Sequence, residues 1–453
     1  MCYYFIFTPV FIFMKKLVLI FILFLFIIFS MTSQVQAYSL KECAGIALEN
    51  SFILKSYDSK NVQNDFKTTE ILTARNPHVF ISGSSSYTAP EVSVNIPLPP
   101  PLKSIDAVAV PNQYHKYSLE ISKLLTSFGR IEAGAKYNEF NSILITYEKQ
   151  VQRDRLLLEI VRTYYGILSA KEVLDTANAE KEFWEEQLKT AEMLFKNGVT
   201  AKYDLLRIKA CLDKSEEKVI TTKNALQTAR GNLSVLMGVE LCDLRGEPED
   251  VLFFAQITDG IKNKETALQQ NSSVMLAQTA ILQSDKAIEL AKLESSPYLV
   301  FHSGYSRNTE TFISKSWSWQ TSVSLNIPIY DGGERRVKVA SAKELKVQAT
   351  LSFEDIKRNL FWDIEKLCLY IDELSAREKL AETQIESSKE SLRVAKLRYS
   401  QGLGTITELL DASSDMVLSS GSLERIKYEK QVQLASLSYL RGTIYNDLFG
   451  GNE

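Results

Sequence analysis

Few side chains in this sequence have the type and spacing that chemistry needs. Glu408 and Asp411 stand three apart, so on a helix they share one face. Two carboxylates there draw cations, or simply sit as solvated acids where the dipole of a helix start favours them. The three histidines, His78, His115 and His302, are far apart and show no paired spacing for a metal or a triad. Five cysteines, Cys2, Cys43, Cys211, Cys242 and Cys368, include no CxxC and no close pair, so neither a disulfide framework nor a zinc site is expected. Cys211 and Cys368 fall in helical pattern and read as small core residues. No phosphate loop appears, and nothing fits the constellations of an active site. The expectation is a chain that is not an enzyme and uses no metal or cofactor, any energy coming from a partner.

The elements that must carry these residues are organised around Trp317 to Gly333, WSWQTSVSLNIPIYDGG. Trp317, Trp319, Val323, Leu325, Ile327 and Ile329 are apolar, with Thr321 the exception, while Ser318, Gln320, Ser322, Ser324 and Asn326 between them are polar. One oily and one wet face, held this long, suit a membrane-spanning β-strand. Trp317 and Trp319 fit an interfacial aromatic belt, with the core of a soluble sandwich as the other reading. The strand stops at Pro328 and the turn Asp331-Gly332-Gly333. Beyond it no proline occurs, and long helices follow.

The N-terminus reads as an address. Met14-Lys15-Lys16 is basic, Leu17 to Phe29 is unbroken apolar sequence, and Val35-Gln36-Ala37 fits a small-x-small cleavage site, so 1–37 is expected to be a signal peptide. A permanent anchor is the other reading, because Met1 to Phe13 is also apolar; translation beginning at Met14 is a further hypothesis. No cysteine follows the apolar run in lipobox fashion. The chain is 45% hydrophobic and 24% charged, and losing Lys15 and Lys16 takes its formal net charge from −3 to −5. Nothing here is basic enough to suggest nucleic acid.

Tyr38 to about Arg75 is expected to be one helix, ended by Pro77. A weaker strand follows from Val79 to Tyr87. Thr88 to Lys116, with its run of prolines, is expected to be a surface loop, and a second strand carries Tyr117, Leu119 and Ile121 toward Gly129. From Arg130 to about Lys196 no proline occurs, and Leu156, Ile160, Thr163, Ile167, Ala170 and Leu174 recur in steps of three and four. Such a helix is roughly 100 Å long at 1.5 Å per residue. Asn197-Gly198 breaks it, and a second helix returns from about Ala201 to Met237. The plan then restarts: helix from Ile261 to Glu294, a strand through Leu299, Phe301 and Tyr305, a short loop, the Trp317 strand, a long helix, a break at Gly402-Leu403-Gly404, and a helix to about Leu448.

Subtraction reveals a duplication. Gly129 and Gly333, Phe195 and Tyr399, Gly198 and Gly402, Asp204 and Glu408, Leu205 and Leu409 all differ by 204. The seam follows, with Leu360, Ile364, Leu367, Ile371 and Leu374 as its second copy. The expected organisation is a leader (1–37), repeat 1 (38–240, β-hairpin about 79–125, helical hairpin about 130–240), a linker (241–263) and repeat 2 (264–448, β-hairpin about 298–329, helical hairpin about 334–448). Four membrane strands cannot close a barrel, since an open edge leaves backbone groups unpaired in lipid and the smallest barrels need about eight. Symmetric assembly answers this: a dimer gives eight strands filled by side chains, a trimer twelve around an open lumen.

This order, with the strand exit Ile327 to Gly333 and the helical turns LFKNGVTAKYDLL (Leu194 to Leu206) and LRYSQGLGTITELLDA (Leu397 to Ala412), resembles the TolC family of outer-membrane channels over essentially the whole mature chain. The resemblance implies a mainly α fold with a small membrane β-barrel: a homotrimer with a twelve-strand barrel in outer-membrane lipid and a twelve-helix tunnel in the periplasm. It also implies partners, a periplasmic adaptor and an inner-membrane pump of RND or ABC type, served as the exit duct of tripartite efflux or type I secretion. By that analogy Asp204, Tyr399, Glu408 and Asp411 belong to the periplasmic aperture. Glu408 and Asp411 would form rings of like charge, and Tyr399 and Asp204 would hold the tip shut through hydrogen bonds between neighbouring helices. Gly198, Val199, Gly402 and Leu403 match the turns that adaptor tips grip. A basic gate residue of the family falls here on Gly404, so that lock is missing. Tyr399 as plain packing, and the two acids as solvated helix-start residues, stay open at this point. So does a structural or adhesive coiled-coil envelope protein with a small β-anchor, although a filament needs no strands. A periplasmic adaptor fits poorly, because Asn197-Gly198 leaves no room for a β-domain between the helices.

Overall fold

The computed structural model describes residues 38–110, 112–240, 248–255, 260–308 and 317–450. The expected leader, Cys2 and Cys242, parts of the expected linker and most of the short loop before Trp317 lie outside the described residues.

The first half runs α1 (Leu40–Asn50), α2 (Phe52–Thr73), β1 (His78–Tyr87), β2 (Val92–Ile96), β3 (Ile105–Val110), β4 (Gln113–Thr126), α3 (Arg130–Lys196) and α4 (Lys202–Met237). The second runs α5 (Gly260–Gln270), α6 (Ser272–Leu293), β5 (Tyr298–Asn308), β6 (Trp317–Asn326), α7 (Glu334–Ser400), α8 (Ile406–Arg441) and α9 (Ile444–Phe449). Helices α3 and α7 are 67 residues each and α4 and α8 are 36 each, and both pairs lie 204 apart. Before the strands the spacing is 220: α1 and α5 have 11 residues, α2 and α6 have 22. The two offsets differ by 16 residues, the extra length between the start of the first strand and the start of the long helix in the first half.

Three sequence expectations are corrected here. The single helix from Tyr38 is two, broken at Ser51, and its counterpart is broken at Asn271, whose side chain accepts the N–H groups of Ser273 (2.9 Å) and Val274 (3.2 Å) and so starts a new helix. The helix expected to reach about Leu448 stops at Arg441, where Gly442 takes the left-handed cap conformation and α9 follows. The proline-rich loop holds an extra hairpin, β2 with β3, outside the main sheet. Its apolar face carries Val92, Val94, Ile96 and Ile105, while Asn95 Nδ2 donates to Asp106 Oδ1 (2.6 Å) on the other face.

Contacts divide the molecule into two units. One combines Phe52–Gln152 with Lys264–Trp362 and contains the sheet; the other combines the chain up to Ser51 with Arg153–Asn263 and the chain from Asp363 onward, and contains the helical turns. The sheet is antiparallel in the order β1-β4-β5-β6, so β1 and β6 are edges with no partner strand among the described residues. One face presents Val79, Ile81, Leu119, Ile121, Phe301, Tyr305, Trp319, Val323 and Leu325, several of them more than half exposed. The exception Thr321 is satisfied on that face. Its hydroxyl pairs with that of Ser303 across the strands (3.0 Å) and accepts Trp319 Nε1–H (3.0 Å). The opposite face is polar, with serine pairs Ser82–Ser118 (2.7 Å) and Ser306–Ser318 (2.8 Å) along one row.

The helical unit has a conventional core. In α7 the expected seam is buried at Leu360, Ile364, Ile371 and Leu374. In α3 the burial is broader: Leu157, Val161, Tyr164 and Leu168 are as deep as Ile160 and Ile167. The reason is a second covering layer. The Tyr164 hydroxyl is shared between the carbonyls of Tyr38 (3.1 Å) and Glu249 (2.9 Å), and Tyr165 donates to the Val251 carbonyl (3.0 Å). Gln431 of α8 accepts Phe254 N–H (2.8 Å), fastening the same connecting segment from the other side. Burial pushes the Tyr165 phenol up to about 12.

Candidate functional site

The two helical turns are built alike because each helix ends on a glycine that can adopt positive φ. Gly198 (φ +69°) and Gly402 (φ +70°) make that step. Gly198 N–H donates to the Phe195 carbonyl (3.0 Å) and Val199 N–H to that of Leu194 (2.9 Å). In the second turn Gly402 N–H donates to Tyr399 (3.0 Å) and Leu403 N–H to Arg398 (2.9 Å), with one more bond from Gly404 N–H to the same Arg398 carbonyl (3.0 Å). The turns also touch each other: a methyl group added to Gly402 would lie 2.8 Å from Val199 Cγ1. Val199 and Leu403 are otherwise exposed, at 56% and 71%. Gly404 is closed in on a different side, where a Cβ would meet Arg398 Cβ and the Tyr399 nitrogen at 3.1 Å. A side chain at this position would need Arg398 and the Tyr399 backbone to give by a few tenths of an ångström.

Behind the turns lies a small core of Trp184, Ala191, Ile208, Tyr399, Ile406 and Leu409. Tyr399 is a full member, 3% exposed, and its hydroxyl makes no hydrogen bond among the described residues. Asp204 accepts the Thr200 hydroxyl at 2.7 Å. Burial pushes the Tyr399 phenol up, the Asp204 charge adds to this, and the nearby Thr200 hydroxyl opposes it.

Glu408 and Asp411 are both exposed on α8. Thr405 caps that helix, its hydroxyl accepting Glu408 N–H at 3.3 Å. Asp415, one turn further along, extends the acidic face, which the sequence reading missed although the i, i+4 spacing from Asp411 was visible. Arg398 Nη2 lies 3.8 Å from Glu408 Oε2 in a solvent-exposed pair, a contact of little energy. The sheet holds another juxtaposition that spacing could not disclose: His78 and His302 flank Ser122 in one cross-strand row. Among the described residues no group of three or more His, Cys, Asp or Glu is placed to hold a metal ion.

The profile of the outer membrane efflux protein family matches residues 74–239 and 264–443, more than half of the chain and both strand–helix sets. The chain belongs to that family. It is 23% identical over 297 residues to the outer membrane protein TolC of Vibrio cholerae serotype O1, covering 64% of this chain and 68% of that protein. It is 20% identical to the alkaline protease secretion protein AprF of Pseudomonas aeruginosa, covering 65% and 62%. Among solved structures, the CmeC outer membrane channel of Campylobacter jejuni superposes with a TM-score of 0.72 at 18% identity, covering 89% of this chain and 86% of that one. The protein is therefore an outer-membrane efflux channel component. Its strands lie in the outer membrane, its long helices lie on the periplasmic side, and its work is export.

Proposed function

We propose that three copies of this chain close a twelve-strand barrel and extend it as a helical tunnel, forming the exit duct for a periplasmic adaptor and an inner-membrane pump of RND or ABC type. The observation that supports this most is the sheet itself. Four antiparallel strands with an apolar outer face end in two unpaired edges, β1 and β6, and lipid tolerates neither edge. The domain plan that goes with it is a cleaved leader over 1–37, repeats over 38–240 and 264–448, and a linker over 241–263. Gly198, Val199, Gly402 and Leu403 form the docking tips, the exposed Val199 and Leu403 supplying apolar contact for adaptor helices. Glu408 and Asp411 ring the aperture beside Asp204, and Tyr399 serves it by packing.

Imaging of the mature protein in detergent together with its mass tests the assembly. A hollow trimeric cylinder is expected, and a solid rod or a monomer would sink the reading. For the aperture, Glu408→Ala combined with Asp411→Ala removes six carboxylates from a trimer, and a rise in single-channel conductance of about twofold or more, or weaker cation preference, is the expected outcome. Unchanged currents would take both residues out of the constriction.

A further inference from the structure

The polar face of the sheet has more chemistry than its serines suggest, and we propose that His78 and His302 form the charge-selectivity element of the barrel lumen. The inference rests on the trimeric barrel reading.

Register carries the argument. His78 of β1 pairs with Ser122 of β4, Ser122 pairs with His302 of β5, and His302 pairs with Ser322 of β6, so one row runs across all four strands. Residues directly opposite one another in a ladder share a face. This row lies on the face opposite Trp319, Val323 and Leu325, which is the lumen side of a closed barrel. Both histidines are exposed there. The ring of Phe80, two residues along β1, stacks beside His78 with centroids 6.3 Å apart and planes at 13°. The second repeat does not explain the pair, since at the 220 offset His302 corresponds to Ser82 and His78 to Tyr298.

The neighbouring rows decide how much these imidazoles matter. On one side the next row is Phe80, Glu120, Gly304 and Gln320, followed by Ser82, Ser118, Ser306 and Ser318, then Ser84, Lys116 and Asn308. On the other side stand Leu124, Val300 and Ser324. Glu120, on the strand between them, is thus the one carboxylate of these rows, its Oε1 accepting the Ser118 hydroxyl (3.0 Å) in the next row away from the histidines, and Lys116 is the one fixed cation. They cancel. With no net fixed charge among the described residues of this face, protonation of two imidazoles per chain, six in a trimer, sets the sign of the lumen. Imidazole changes charge between about pH 5 and pH 8, and a ring of one sign in a water-filled pore admits counter-ions and repels co-ions. The barrel accordingly passes from indifferent to anion-favouring as the outside turns acid.

The test is the reversal potential of the full trimer in a planar bilayer under a potassium chloride gradient. Between about pH 8 and about pH 5.5 the permeability ratio of potassium over chloride is expected to fall about threefold, and in His78→Gln/His302→Gln to stay within about 1.3-fold. Every other titrating group is common to both proteins and drops out of the difference. The single variants, each expected to keep about half of the shift, carry the test if the pair does not assemble. An equal pH response in wild type and variants overturns the proposal. A protein that forms no conducting trimer at either pH overturns the barrel reading first, and the histidine ring with it.

Discussion

At Gly198 and at Gly402 the chain makes the same left-handed step and closes it with the same two hydrogen bonds, yet the residues that follow diverge at almost every position. Thr200 answers to Gly404, Ala201 to Thr405, Asp204 to Glu408 and Arg207 to Asp411. Helix α8 starts with a capping hydroxyl and acids, as its N-terminal dipole favours. Helix α4 starts uncapped, with Lys202 and Arg207 near its positive end and the Thr200 hydroxyl given to Asp204. The duplication therefore preserved a backbone device and left each copy free to choose its charge. Both hairpins keep an acid at the aligned Asp204 and Glu408, but Arg207 follows in the first where Asp411 follows in the second, and only the second hairpin brings the acidic stripe of Glu408, Asp411 and Asp415.

The comparison breaks most readily at Gly404. Replacing it by arginine, the kind of residue expected there from the family, crowds Arg398 and the Tyr399 backbone at 3.1 to 3.2 Å and is expected to destabilise the second turn by about 1–2 kcal/mol. The equivalent Thr200→Arg change starts from a residue that already has a side chain and should cost under about 1 kcal/mol. Hydrogen exchange at the amides of Gly402 and Leu403, against those of Gly198 and Val199, reads both. Equal protection losses would mean that the two turns are not built differently.

A smaller difference separates the glycines themselves. Gly198→Ala meets open space and should cost about 1 kcal/mol, the price of a left-handed non-glycine residue. Gly402→Ala incurs that and must also move Val199, so about 2 kcal/mol is expected. Thermal unfolding of the two variants decides this. Identical midpoints would remove the contact between the turns.

These contrasts mark what the sequence could and could not tell. The helix lengths were legible because prolines are absent and glycines punctuate the ends, and the 204 offset tied one hairpin to the other. The breaks at Ser51 and Asn271 were not legible, because neither position carries the glycine or proline that marks a stop; a capping side chain made the second one. The β2–β3 hairpin was masked by its own prolines, although Val92, Val94 and Ile96 alternate with Ser93 and Asn95. At the tip, the family resemblance assigned Asp204 and Tyr399 to hydrogen bonds between neighbouring helices. What spacing alone did not disclose is that Asp204 also accepts the Thr200 hydroxyl, four residues away on the same turn and reached at low entropic cost. His78 and His302 are more than two hundred residues apart, and only strand register brings them into a row.

Tyr399 offers the finest test, since its counterpart in the first hairpin is already Phe195. Tyr399→Phe makes the two turns alike and deletes a buried hydroxyl that has no hydrogen-bond partner among the described residues. Such a deletion is expected to be neutral or to stabilise by up to about 1 kcal/mol near pH 7. The pH dependence has a definite sign. The folded phenol is raised above its unfolded value, first by burial and then by Asp204, so its contribution is fully present below the unfolded pKa of about 10 and is lost as pH climbs toward the folded one. Wild type should accordingly lose tip stability in alkali while Tyr399→Phe does not, and the two melting curves should separate only above about pH 10. A variant that instead opens the channel at neutral pH would show that the hydroxyl bonds a neighbouring subunit. Tyr399 would then be a latch between chains rather than a wedge within one.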